Sequence, residues 1–242
     1  MGALVDLIAV VLLNAYAAVL IVLRSRVYGA ALYRPMLVNV ALSFVPVVGA
    51  LVAVAGLLFL APVLSALAGQ LRGGVPFILW AYLVVATLLW LLFFPNAIYL
   101  ITELNFSHRA ANDEVPLWFD IIHTLTLTLS GIANAIASLL IVQAEFIVLI
   151  ADPSGGAGAP AFSWFFAGAV IVLGAFGVYL GRYLRVNSWD VKHPASLARK
   201  LVNHLREPGR ALEVGGLVLS HAVLVALVYV PVFTLFYRAS FA

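Results

Sequence analysis

The sequence predicts an all-α polytopic membrane bundle of about six transmembrane helices, with N-terminus and C-terminus outside. Three observations carry that expectation. Of the 242 residues, 65% are hydrophobic and only 10% charged, whereas a soluble domain carries about a quarter charged and just under half apolar residues. Apolar runs longer than about 18 residues recur along the chain. The basic residues gather in alternate connecting loops, the signature of a multipass protein. This composition excludes an ordinary water-soluble globule, a disordered tail and a disulfide-stapled secreted domain. The absence of cysteine excludes disulfides, thiolate metal sites and a cysteine nucleophile.

The first expected span covers 4–23. Ala15-Tyr16-Ala17 imitates a signal-peptidase site, but a secretory signal begins with a basic region. Here the only charge ahead of the run is Asp6, and the run continues to Leu23, so the span is expected to be retained. The remaining spans are expected at 36–60, 77–102, 117–150, 162–184 and 211–235. The fourth is too short for two spans and a turn, which need roughly 42 residues, and is therefore one long helix. Pro46 and Pro62 in the second span, Pro95 in the third and Pro231 in the sixth are expected kinks, because each proline removes a backbone hydrogen bond. No internal repeat is visible, hence no sign of an inverted-repeat transporter. The whole of 1–242 reads as a single integral membrane domain.

Orientation follows from the basic residues. Eleven of the thirteen lie in the loops between spans 1 and 2, 3 and 4, and 5 and 6, leaving Arg72 and Arg238 on the other side. Under the positive-inside rule those three loops face the cytoplasm of a prokaryotic cell membrane. The Gly-rich stretch Asp152 to Pro160 then becomes an outer connector. The cytoplasmic loop over 186–210 differs in kind. From Pro194, Leu197, Leu201 and Leu205 recur opposite Arg199, Lys200, Asn203 and Arg206, which predicts a short basic amphipathic helix suited to the anionic lipids of the inner leaflet. The other reading of the same stretch is a solvated loop helix that supports orientation. Either accounts for the positive charge without nucleic acid, and His193 and His204 are expected to be solvated.

The fourth span carries most of the polar information. At 100° per residue, Asp120, His123, Thr124, Thr128, Gly131, Asn134, Ser138 and Glu145 fall on one side, with Ile122, Leu125, Leu129, Ile132, Ile136, Leu140 and Ile147 opposite. In lipid, ionisable and small residues turn toward the bundle. Thr126 breaks the pattern. Asn96, Tyr99 and Glu103 share a face at the inner end of the third span, and Gly174, Gly177 and Gly181 form a stripe on the fifth that leads toward Arg182 and Arg185. These faces converge at the cytoplasmic boundary, where Trp118, Asn187, Ser188, Trp189 and Asp190 join them. The candidate site is this polar cluster, with Thr124, Asn134, Ser138 and Glu145 as an inward-facing path leading outward from it. Asn14 and Asn39 read as interhelical hydrogen bonds, His221 as packing, and the two boundary tryptophans as anchors.

Four strings point to a family: LVNVALSFVP (Leu37 to Pro46), WLLFFPNAIYLITEL (Trp90 to Leu104), PLWFD (Pro116 to Asp120) and FGVYLGRYLRVNSWD (Phe176 to Asp190). Together they resemble an uncharacterised family of prokaryotic integral membrane proteins, catalogued as a domain of unknown function. The resemblance covers about 37–195, and the last string is its most specific part. The family pattern places tryptophans where this chain has Val38 and Val186. The resemblance implies a multipass membrane protein and supplies no activity.

Three functional readings fit the cluster. Glu103, Asp120 and Asp190 could pair with Arg182 and Arg185 as scaffolding. The cluster could bind or pass a small solute or lipid headgroup, with Asp120 and Glu145 bracketing a path. Or a membrane-embedded enzyme could hold a lipid phosphate on the two arginines, with Asp120 or Glu103 as base and His123 as proton carrier. No recognised catalytic or metal motif is present, neither His-Glu-x-x-His nor a phosphate loop nor a nucleophile elbow. No metal or cofactor is therefore assigned, catalysis is the least favoured of the three, and the binding or transport reading is preferred.

Overall fold

A computed structural model describes residues 2–69, 74–103, 115–150, 159–184 and 194–241. The described residues are helical, without a strand. In order they form α1 (Gly2–Tyr28), α2 (Arg34–Ala66), α3 (Val75–Phe93), α4 (Pro95–Tyr99) with a 3₁₀ turn at Leu100–Glu103, α5 (Leu117–Ile150), α6 (Ala161–Tyr179) with a π-helical turn at Leu180–Leu184, α7 (Pro194–Leu205) and α8 (Arg210–Phe241). Six helical segments are long and apolar enough to cross a membrane: Leu4–Tyr28, Arg34–Ala66, Val75–Glu103, Leu117–Leu149, Ala161–Leu184 and Arg210–Ser240. These correspond to the six expected spans, several of them longer than the apolar run alone.

The prolines behave differently from one another. Pro46, Pro62 and Pro231 lie inside continuous helices. Pro95 ends α3 and starts α4 at its first turn, where its missing N–H costs nothing. The winding then tightens to a 3₁₀ turn that ends at Glu103. At three residues per turn Glu103 is rotated off the face that α-helical spacing gives it, while Asn96 and Tyr99 stay three residues apart in α4.

The chain divides into two compact units, Met1–Ala151 and Asp152–Ala242. In the first, α5 packs against α1, α2, α4 and the 3₁₀ turn, and α2 packs against α3 and α4. The core of this unit includes Ala17, Ile21, Met36, Val40 and Leu127, with Leu20, Val115 and Phe119 beside Tyr28. Gly131 makes the close approach of α5 possible, since a Cβ there would lie 2.6 Å from the Ala97 carbonyl oxygen and 2.7 Å from Leu100 Cβ. In the second unit α6 packs along α8, and α7 rests on α8. There Tyr179, Leu184 and Val214 are buried together, with Leu201 and Leu205 of α7 against them.

The lipid-facing side of α5 agrees with the helical-wheel reading at Ile122, Leu125 and Leu129, which are exposed. Ile147 does not: it is buried. With neighbours on several sides, α5 buries more than one stripe, which also places Thr126, Ser130 and Gln143 inside.

Candidate functional site

Among the described residues, three polar contacts that involve candidate residues join helices of the first unit. In the middle of α5, Asn134 is fully buried. Its Nδ2 donates to Asn14 Oδ1 of α1 at 2.9 Å and to Ser43 Oγ of α2 at 2.9 Å, and its Oδ1 accepts from Asn14 Nδ2 at 2.8 Å. Asn14 Nδ2 also donates to the Val10 carbonyl, and Ser43 Oγ to the Val40 carbonyl. Polar groups without water must bond internally, and these three side chains do so by closing on one another.

The second contact is an ion pair. Arg24 Nε lies 2.9 Å from Asp120 Oδ1, with the carboxylate side chain 6% exposed. Asp120 opens α5, where the helix N-terminus favours an anion. Arg24 reaches it because α1 continues in helical form past Leu23 to Tyr28. The third contact joins Asn39 Nδ2 of α2 to Glu103 Oε1 at 3.2 Å, so Glu103 is buried against an amide. Asn14 and Asn39 are thus interhelical hydrogen-bond donors.

One turn along α5 from Asp120, His123 is buried, its ring 6.4 Å from that of Phe119. His123 Nε2 is sealed from solvent and has no hydrogen-bond partner among the described residues. Two other buried atoms share that condition, Trp90 Nε1 and Glu145 Oε1. Thr124 and Thr128 bond back to carbonyls of α5, as do Ser130 and Ser138. Asn96 and Tyr99 are half-buried. Trp118 is 62% exposed, turned away from the bundle.

The remaining candidates belong to the second unit or to positions outside the described residues. Arg182 lies in the π-helical turn, half-buried. Arg185, Asn187, Ser188, Trp189, Asp190 and His193 lie outside the described residues. The glycine stripe of α6 is buried only at Gly174. Gly181 is exposed, with open space where a Cβ would stand. His204, expected to be solvated, is hydrogen-bonded through Nε2 to Tyr179 Oη at 2.7 Å. His221 bonds the Leu217 carbonyl of its own helix through Nδ1 at 2.9 Å.

A groove of about 400 Å³ lies between α2 and α3, floored by Gly49 and Ala53 and walled by Tyr82, Leu89 and Trp90. Its lining is apolar and contains none of the candidate polar residues. Tyr82 Oη crosses to the Ala53 carbonyl at 2.7 Å. Among the described residues no three histidine or acidic side chains are grouped to hold a metal ion.

A family model described as a protein of unknown function (DUF1361) matches residues 38–229. The chain belongs to the DUF1361 family. The match takes in Asn39, Glu103, Asp120, His123 and Asn134, whereas Asn14 and Arg24 precede it. No curated protein and no solved structure matches the chain. The DUF1361 description names no activity, the six apolar helices point to a membrane protein, and the chemistry of the site has to be argued from its own geometry.

Four residues that make these contacts lie outside the cluster predicted from the sequence: Asn14 and Asn39, which read as interhelical hydrogen bonds, together with Arg24 and Ser43. On sequence alone Arg24 reads as an orientation charge, and Ser43 carries no signal. A signal for Arg24 exists: Asn14, Ala17, Ile21 and Arg24 follow the i, i+3, i+7, i+10 spacing of one helix face, and the first three are buried.

Proposed function

We propose that this protein binds a small polar solute or a lipid headgroup at the end of the first unit that carries Arg24, Asp120 and His123, and that this end faces the cytoplasm of a prokaryotic cell membrane. The orientation rests on the eleven-of-thirteen bias in the basic residues. The binding role rests on one observation, the buried and unpartnered Nε2 of His123 beside the Arg24–Asp120 pair. Buried polar atoms are nearly always bonded, and an orphan in a native structure calls for an explanation. An occupant that offers a hydrogen-bond group to the imidazole supplies one.

Binding is favoured over permeation by the residues that would continue a path. Asn134 and Ser138 are fully buried and their described hydrogen bonds go to protein groups. The scaffolding reading is favoured in the middle of the unit by the closed Asn14–Asn134–Ser43 set.

Native mass spectrometry of the purified protein, beside a His123→Leu variant, tests the proposal. A stoichiometric bound mass in the wild type that disappears in the variant, with the thermal midpoint retained or raised, is the expected result. A bare wild-type mass, with a variant stabilised by loss of the orphan nitrogen, would identify His123 as packing and overturn the binding role.

A further inference from the structure

The second unit carries a separate surface. Along α7 the apolar residues Leu201 and Leu205 are already committed, packed against Tyr179, Leu184 and Val214 and their neighbours Leu180, Leu217 and Val218. His204 lies on the same side, its Nε2 held by Tyr179 Oη at 2.7 Å. The helix is therefore fixed on its protein by a hydrophobic seam and one hydrogen bond. Leu201 and Leu205 are thus not available to enter a bilayer.

The opposite side is cationic. Arg199, Asn203 and, directly after the helix, Arg206 are exposed, and no acidic residue occurs between Pro194 and Arg206. The first acid beyond, Glu207, is taken by Arg210, whose Nε lies 3.2 Å from its Oε2. Arg210 also holds Glu213 at 2.7 Å. The position of this face along the membrane normal follows from its seam. The residues beneath α7 are the last of the Ala161–Leu184 span and the first turns of the Arg210–Ser240 span. A helix seated on the ends of two spans lies at headgroup depth.

We infer that the outer face of α7 is a docking surface for anionic phospholipid headgroups, which it holds by charge alone. Amphipathic helices at membranes ordinarily combine apolar insertion with electrostatic attraction. Here the apolar half is spent on the protein, so the attraction remains and is screened by salt. The Tyr179–His204 bond is a positioning contact: it keeps the arginines turned outward and touches no lipid itself.

The test uses the full-length protein in detergent micelles, so that orientation in a cell plays no part. Retention of phosphatidylglycerol and of phosphatidylcholine is compared by native mass spectrometry at low and high salt. The wild type is expected to prefer phosphatidylglycerol, and high salt to abolish the preference. An R199Q/R206Q variant is expected to bind phosphatidylglycerol roughly thirty-fold more weakly, from the usual contribution of two basic residues near an anionic surface. Tyr179→Phe, which keeps both arginines, is expected to lose part of the preference. Equal retention of the two lipids, a preference that survives high salt, or a preference unchanged in R199Q/R206Q would overturn the proposal. Displacement of phosphatidylglycerol by a short oligonucleotide at equal charge would reassign the surface to nucleic acid and also overturn it. An unchanged preference in Tyr179→Phe would overturn the positioning role of His204.

Discussion

The Asn14–Asn134 pair lends itself to a quantitative test. Asn134 lies about 21 Å along α5 from Asp120, at 1.5 Å per residue, near the middle of a span where water does not compete. Replacing it with alanine removes three interhelical hydrogen bonds, two with Asn14 and one with Ser43. At roughly 0.6 kcal/mol per interhelical bond in a membrane interior, the loss is about 2 kcal/mol. The more telling quantity is the coupling. Asn14→Ala, Asn134→Ala and the double variant are unfolded reversibly by dodecyl sulfate in mixed micelles, followed by tryptophan fluorescence. Two shared bonds predict a coupling energy of about 1.2 kcal/mol. Single effects that add to within about 0.5 kcal/mol would place the two amides out of contact and refute the stitched arrangement of α1 on α5.

Two further perturbations probe neighbouring contacts. A Cβ on Gly56 would collide with Tyr82 Oη, which donates to the Ala53 carbonyl. Gly56→Ala is therefore expected to cost about 1 to 3 kcal/mol by overpacking and clearly less in a Tyr82→Phe background, as thermal midpoints in detergent would show; an equal cost in both backgrounds contradicts the contact. Arg24→Met alone is expected to destabilise by about 3 to 5 kcal/mol by leaving Asp120 buried without this partner, and Arg24→Met with Asp120→Leu to recover most of the loss. A double variant as unstable as the sum of the singles would show that the two side chains act separately.

The spans were legible because hydropathy and length are local properties: twenty apolar residues have few alternatives to a membrane helix. Asn14, Asn39 and the polar face of α5 were legible for a related reason, since a polar side chain in a span turns inward. Partners were not legible. For Asp120 the sequence points to Arg182 and Arg185, of which Arg185 lies outside the described residues; the pair with Arg24, ninety-six residues earlier, is one that spacing does not reveal. Arg24 was hidden by a boundary drawn where apolar residues stop, although α1 continues for another turn. α-Helical spacing misplaces Glu103 because the winding tightens to a 3₁₀ turn after Tyr99. The basic loop around His204 suggests a solvated ring, whereas the packing of Leu201, one turn earlier, and of the adjacent Leu205 turns it to the protein.

The scarcity of charge gives the contrast between Asn134 and His123 its force. Both sit on the same polar side of α5, both are buried, and both face the same penalty for an unmet hydrogen bond in an apolar interior. At Asn134 the fold meets that penalty with an asparagine from α1 and a serine from α2. Eleven residues of α5 separate His123 from Asn134, and along them each threonine or serine with a described bond turns to a carbonyl of its own helix. His123 Nε2 alone on this stretch is left buried and unmet among the described residues. A bundle able to satisfy an asparagine at mid-membrane is able to satisfy an imidazole one turn from an ion pair, where water and headgroups are nearer. That none of its described groups does so is the physical reason to look there for a ligand.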